Sequence, residues 1–421
     1  MFWVLAGQTL SVVLGFLIIK LLSTLGPEQF GTYALILTVS ALLGLIIYGP
    51  LAQGFIRFYY YYEEKELLFI YTQKVFRFLF RSFLILVILS VILLPASRAA
   101  GFYIPAFTLI LGGLFITAQK NTEFFNAALN IIRKRKQNTL IQASEKLLII
   151  LLLVIFHYYE LLTLQNALLA LFAGFTAGGV IKFISFKSAL PEDDHSEPDA
   201  EVISGIRKNL FAYVLPFLLW GFSGWLQLNG EKWIINELLS TTDVGVYSVM
   251  MALVNAILVV PNNAVSEFAT PIIFKQYSDP DNPERTGKGS DYIKLTITAV
   301  VVLTLISTLA AYLFSENLIL IISNESFVYH HRLLPLLCAG TGFFLIGQAQ
   351  TLLGMALNKP MRYLKAKVFT GVISVFLNLG FVFQFGFNGV PYAITFTGII
   401  YSVYIHFINK SIMNRSIREK I

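Results

Sequence analysis

The sequence predicts an all-α polytopic membrane protein, with about twelve transmembrane helices in two pseudo-symmetric six-helix lobes around a central cavity. Three observations lead there. With 56% apolar and only 13% charged residues over 421 positions, the chain has too little polar surface to cover a particle in water, so lipid must be its solvent. The apolar residues fall into segments near the ~20 needed to cross the hydrocarbon core. The chain also repeats itself: Trp3, Gly7, Ile18, Leu21, Leu22, Ser23 and Thr24 return 217 positions later as Trp220, Gly224, Ile235, Leu238, Leu239, Ser240 and Thr241.

Taken in order, the expected spans are Trp3–Leu25, Gly31–Ile56, Arg77–Pro95, Tyr103–Leu129, Asn138–Phe156 and Leu162–Phe186, then Asn209–Leu239, Val244–Phe274, Asp291–Leu313, Leu333–Leu357, Tyr363–Phe385 and Val390–Phe407. All read as helices, because lipid satisfies no backbone group and none shows the strict alternation of a barrel strand. The domains that follow are a first lobe over residues 1–189, an acidic cytoplasmic linker over 190–208 and a second lobe over 209–421. Ser278–Ser290 reads as a further polar loop, and Phe58 to Tyr62 as an interfacial aromatic belt. Trp3–Leu25 is expected to serve as an uncleaved insertion signal.

The cations test this drawing. With a cytoplasmic N-terminus, twenty-five of the 31 Lys and Arg residues, Lys182 and Lys367 among them, fall in cytoplasmic loops and tail. That bias obeys the positive-inside rule with both termini cytoplasmic, and it accounts for the net charge of +7 without nucleic-acid binding. Lys120, Lys146 and Lys232 remain inside spans. The single cysteine, Cys338, excludes an internal disulfide, and His330-His331 has no ligand spacing around it, so no metal or cofactor is expected. Thr286-Gly287-Lys288-Gly289-Ser290 lacks the upstream glycine and buried strand of a phosphate loop.

The duplication continues beyond the first spans. Phe30-Gly31-Thr32-Tyr33 answers to Val244-Gly245-Val246-Tyr247, the intervening loop being three residues shorter in the second copy, and Ala128-Leu129-Asn130 answers to Ala356-Leu357-Asn358. Repeats of this kind are how many secondary transporters are built, which puts function between the halves. Alignment with Val12 to Gly15 also sets Asn229-Gly230-Glu231-Lys232 inside a long helix, with Gly230 as a kink or unwinding point, where hydropathy alone would draw a loop.

The turn Leu25-Gly26-Pro27-Glu28-Gln29-Phe30-Gly31-Thr32-Tyr33 resembles the signature of polysaccharide biosynthesis proteins. Gly54-Phe55-Ile56-Arg57, Glu231-Lys232-Trp233-Ile234-Ile235 in place of a usual Asp-Arg pair, Asn378, and Gly386 to Val390 followed by Ala393 extend the likeness over most of the chain. The family is the Wzx-type flippases of the multidrug/oligosaccharidyl-lipid/polysaccharide exporter superfamily. The resemblance implies translocation of an undecaprenyl-pyrophosphate-linked oligosaccharide across the bacterial inner membrane, beside glycosyltransferases and a glycan polymerase. A cation-coupled multidrug exporter of the same superfamily is the rival. A membrane glycosyltransferase or polymerase is disfavoured, because no long loop carries acidic ligands at a catalytic spacing.

A charge within hydrocarbon costs at least ~2.5 kcal/mol, so intramembrane charges face a cavity or a partner. In span four, Gln119, Glu123 and Asn126 share a face and Lys120 lies three before Glu123. Span five sets Glu145 and Lys146 at similar depth, so Lys120–Glu145 and Glu123–Lys146 pairing is possible, either as a clasp or as a cavity wall. Span eight carries Asn255, Asn262 and Ser266 on one face with Asn263 and Glu267 beside them, and Pro261 should bend it. Pro50 lies at a corresponding depth in span two, and Gln53 aligns with Glu267 at an offset of 214. Arg57, Lys120, Lys146 and Lys232 are the candidates for pyrophosphate, and Gln53, Asn255, Asn262, Asn263 and Gln350 for sugar hydroxyls. Glu123, Glu145, Glu231 and Glu267 are the candidate charge partners.

Overall fold

The computed structural model describes residues 2–99, 105–190, 200–278 and 282–418, among which there is no strand. Twelve long helical rods and one amphipathic helix run in order: α1 (Phe2–Ser23), α2 (Pro27–Glu64), α3 (Leu68–Ala99), α4 (Ala106–Ile131), α5 (Arg135–Tyr158), α6 (Leu164–Lys187), α7 (Ala200–Val214), α8 (Pro216–Leu238), α9 (Thr241–Gln276), α10 (Pro283–Ile322), α11 (Leu334–Gln350), α12 (Leu364–Phe385) and α13 (Gly389–Arg418). Among the described residues, seven helical stretches are long and apolar enough to cross a membrane by length and composition. The chain is a multi-pass membrane protein.

Contacts divide the chain into two units, Met1–Leu25 with Tyr33–Phe222, and Gly26–Thr32 with Ser223–Ile421. The division falls inside α8, beyond the 190–208 segment in which the acidic composition places the linker. Of that segment residues 191–199 lie outside the described part, while Ala200 onward is the helix α7, so the expected span Asn209–Leu239 begins only at Pro216. Most of the expected loop Ser278–Ser290 is also helical. Asn282 caps α10 by accepting from the amides of Glu284 and Arg285, which turns the glycine-lysine run into helix and removes any phosphate-loop geometry.

In the first unit, aromatic side chains form the core at one end. Phe55 stacks on Tyr71 at 5.6 Å and meets Phe124 at 5.2 Å, and Tyr62 stacks on Tyr71 at 4.6 Å. Each pair adds ~0.5–1.5 kcal/mol beyond burial. Tyr59 and Tyr62 are buried here while Tyr60 and Tyr61 are exposed, so the expected aromatic belt is half core. Helix α7 docks on α2 through Asn209, whose amide donates to the Tyr62 hydroxyl at 3.3 Å, and through Phe58 against Tyr213.

In the second unit small residues set the crossings, as expected where lipid leaves no hydrophobic drive between helices. Gly398 of α13 lies so close to α11 that a Cβ would meet the Gly340 carbonyl at 2.6 Å. The α12–α13 hairpin turns on Gly386, whose φ of +57° is readily adopted by glycine.

Both α2 and α9 contain one π turn, Gly44–Tyr48 and Asn255–Val259. Each is followed at the same interval by a proline, Pro50 or Pro261. Proline has no amide to donate and its ring crowds the carbonyl four residues back, and a wider turn absorbs the conflict. The carbonyl freed by Pro261, that of Ile257, accepts from the Ser307 hydroxyl at 2.8 Å. These features lie 211 positions apart (44 against 255, 50 against 261), so the structural counterpart of Gln53 is Ala264, and the match of Gln53 with Glu267 is corrected.

Candidate functional site

The first unit holds a network of charged side chains on α4, α5 and α6. Glu145 is bound by Lys182 at 2.8 Å, and Thr122 closes the triad, donating to Glu145 at 3.3 Å and accepting from Lys182 at 3.0 Å. Lys182 is fully buried and Glu145 is 5% exposed. Helix α6 admits this carboxylate because of its glycines: a Cβ on Gly178 would lie 2.2 Å from the Glu145 Oε2, and one on Gly174 would lie 2.2 Å from Ile149. The i, i+4, i+8 run Gly174, Gly178, Lys182 is the sequence signal for the partner. Lys182 is therefore a buried helix residue held by Glu145 and not an exposed loop one.

The expected Lys120–Glu145 and Glu123–Lys146 pairs are not formed. Lys120 binds Glu123 on its own helix at 2.7 Å, with the lysine side chain buried and the glutamate half exposed. Its ammonium also fits against Gly44 at the start of the α2 π turn, where a Cβ would meet it at 3.1 Å. Lys146 donates to the Ser11 carbonyl at 2.8 Å and to the Ser11 hydroxyl, fastening α5 to α1. Gln119 accepts from Ser40 at 2.6 Å. Gln53 and Arg57 are exposed on α2, the Arg57 guanidinium lying 5.5 Å from the centre of the Tyr213 ring.

The second unit encloses a cavity of about 370 Å³ walled by α8, α9, α11, α12 and α13. It gathers Glu231, Lys232 and Asn255 of the expected residues, the last presented by the π turn. Helix α8 runs unbroken through Gly230, so the duplication places this stretch correctly, and no kink or unwinding occurs there. Glu231 is 5% exposed and accepts from the Tyr247 hydroxyl at 3.1 Å. Gln227, Ser374, Asn378, Thr341 and Thr397 complete the polar wall. Among the described residues, both amide atoms of Gln227, the Asn378 Oδ1 and the Thr397 hydroxyl are buried without a hydrogen-bond partner. A buried polar group left unmatched costs ~1–3 kcal/mol, so these atoms are free to pair with polar atoms entering the cavity. Gln227 escaped the sequence reading although it lies one turn before Glu231.

Asn262 is buried with its Oδ1 unpartnered among the described residues, while Asn263 and Glu267 are exposed on α9. Gln350 donates to Ser402 at 3.0 Å, and its carbonyl accepts from Asn409 at 2.8 Å, which ties α11 to α13. His331 hydrogen-bonds Ser315 at 2.8 Å and His330 stacks on Phe387 at 4.1 Å, so both rings serve packing.

The described residues form twelve long helical rods with clusters of polar side chains among them, and the family follows from sequence. The model of the family described as "Polysaccharide biosynthesis protein" matches residues 1–276. The chain belongs to this family. No curated protein matches it in sequence. Among solved structures, the lipid II flippase MurJ in an inward closed conformation is similar with a TM-score of 0.68 at 18% identity, over 97% of this chain and 87% of that one. An inward-facing MATE family multidrug resistance transporter of the MOP superfamily gives 0.67 at 18% identity, over 97% and 96%. The Vibrio cholerae MATE transporter VcmN gives 0.66 at 14% identity, over 97% and 94%. At these identities the likeness establishes the fold of this polysaccharide biosynthesis family member.

Proposed function

We propose that this protein is a flippase that carries an undecaprenyl-pyrophosphate-linked oligosaccharide across the bacterial inner membrane by alternating access, with both termini cytoplasmic. The observation that carries the reading is Lys232 in a cavity that it shares with Glu231 and with neutral amides and hydroxyls, of which Gln227, Asn378 and Thr397 have buried polar atoms without a partner among the described residues. Sugar hydroxyls donate and accept at once, which suits Gln227, Asn255, Asn378 and Thr397, and an ammonium suits a phosphate. The hydrocarbon tail stays in the bilayer, so the protein has only the polar head to solvate. Lys120 and Arg57 are further phosphate contacts. Lys146 would have to leave Ser11, and Gln350 would have to leave Ser402, before either met cargo.

Three intramembrane carboxylates, Glu123, Glu145 and Glu231, each have a lysine bound to them or next to them in sequence, which favours anionic cargo over the cationic drugs of an exporter. The partners of such a flippase are the glycosyltransferases that build its cargo and the polymerase that consumes it. The test is Lys232→Gln, read as lipid-linked glycan reaching the outer leaflet, normalised to the amount of protein in the membrane. Lost export at normal abundance is expected. Unchanged export would remove the reading's main support.

A further inference from the structure

The first unit carries a second polar feature that cargo recognition does not use. At one end of α3, Lys74, Arg77 and Arg81 face Arg207 of α7 around a pocket of about 300 Å³ with no carboxylate in its lining. Among the described residues none of the four has an ion-pair partner. The pocket floor is Phe78, Leu210 and Phe211. The same three side chains also floor an adjoining groove of about 170 Å³, whose other walls include Ile46, Leu51 and Leu218 and whose lining contains no polar atom. Phe78 and Phe211 meet edge to face at 6.1 Å, which joins the two compartments.

Depth decides what kind of molecule lies here. Phe80 beside Arg81, and Leu84 and Ile85 one turn beyond it, are 62%, 43% and 56% exposed, so an exposed apolar surface of α3 adjoins the cations. The basic pocket is therefore at the level of the headgroups, and the apolar groove opens towards the hydrocarbon. Four cations against an uncharged lining call for an anion, and a groove without a polar atom calls for a hydrocarbon chain. Their shared floor requires both on one molecule.

We propose that Lys74, Arg77, Arg81 and Arg207 hold the phosphate of an anionic membrane phospholipid whose acyl chain lies in the groove over Phe78, Leu210 and Phe211. The lipid would clamp α7 to α3 and α2, since all three helices line the two compartments. This site requires only that the chain spans a membrane, and it stands whatever cargo is carried.

The full chain in neutral detergent is titrated with phosphatidylglycerol, phosphatidylcholine, glycerol phosphate and undecaprenyl phosphate while its melting temperature is followed. Phosphatidylglycerol is expected to raise the melting temperature, with phosphatidylcholine and glycerol phosphate giving no shift. Arg77→Gln with Arg81→Gln and Arg207→Gln, all exposed positions, should abolish that shift, and Leu218→Gln, which leaves the cations in place, should at least halve it. Native mass spectrometry of the wild type, in which phosphatidylglycerol but not phosphatidylcholine stays bound, supplies a readout that does not depend on a variant folding. An equal shift with phosphatidylcholine, a shift with glycerol phosphate alone, or a full shift in either variant would overturn the proposal. So would displacement of phosphatidylglycerol by a lower concentration of undecaprenyl phosphate, which would assign the site to cargo.

Discussion

Gly31 and Gly245, counterparts in the internal duplication, pack against each other's helix backbone. A Cβ on Gly31 would stand 1.9 Å from the Thr241 carbonyl oxygen, and one on Gly245 would stand 2.0 Å from that of Pro27. The contact is isologous: each segment offers the other what it receives. Neither obstacle is a side chain able to swing away, so the first turns of α2 and α9 must separate if either glycine is replaced. Gly31→Ala and Gly245→Ala should each cost at least ~1–3 kcal/mol, seen as a lower melting temperature in detergent. The double variant should cost less than the two together, because the first substitution already opens the crossing. Full additivity would show that the two glycines act separately.

Glu145 and Lys182 form a clasp sealed by Thr122. Glu145→Gln or Lys182→Met alone strands a buried charge and should destabilise by ~3–5 kcal/mol. The double variant should recover most of the abundance. Export recovered with it would mark the pair as structural, whereas restored abundance with export still lost would place the pair in transport. Gly178→Ala is expected to resemble the single variants, since its methyl group would occupy the space of the Glu145 Oε2.

Lys120 differs from Lys182 in having a half-exposed partner on its own helix. Lys120→Gln releases a carboxylate that water can reach, so the loss of stability should stay near ~1 kcal/mol or below. Export should nevertheless fall if the ammonium contacts phosphate. A large loss of protein from the membrane in this variant would instead make Lys120 a structural anchor for the π turn at Gly44.

Cys338 is fully buried, so the native thiol is silent towards membrane-impermeant reagents and single cysteines can report topology. Cysteines at Arg135 and Lys288 should label from the cytoplasm and one at Asn324 from outside. Asp194, which lies outside the described residues, should label with the first two. Labelling of Lys288 and Asn324 from the same side would overturn the proposed orientation.

The helical rods were legible because lipid imposes a single rule on backbone, and the duplication carried the reading where hydropathy failed, at Asn229 to Lys232. Helix ends were harder. Polar stretches such as Pro283 to Ser290 remain helical past the membrane, since hydropathy measures the solvent of a side chain and not the hydrogen bond of its backbone. The charge pairs were misassigned for a related reason. The positive-inside pattern assigns Lys182 to the cytoplasmic set by its charge alone, whereas the glycines at 174 and 178 clear a path for Glu145 to reach it. The wall of the second-unit cavity was only half found, because Gln227, Asn378 and Thr397 are neutral and resemble packing residues until their lack of partners is seen.

The two π turns bear on how a position in one half of the chain should be compared with its neighbours. Each turn inserts one residue into an otherwise regular helix, which rotates everything after it by about 100° relative to what precedes it. Asn255 begins such a turn and Asn262 follows it, so a helical wheel drawn through both sets them on one stripe that the real helix does not have. The same irregularity stands at the same distance from a proline in both copies. A proline six residues after the start of each turn gives both helices the same local cause, so each copy carries a broken stripe of its own.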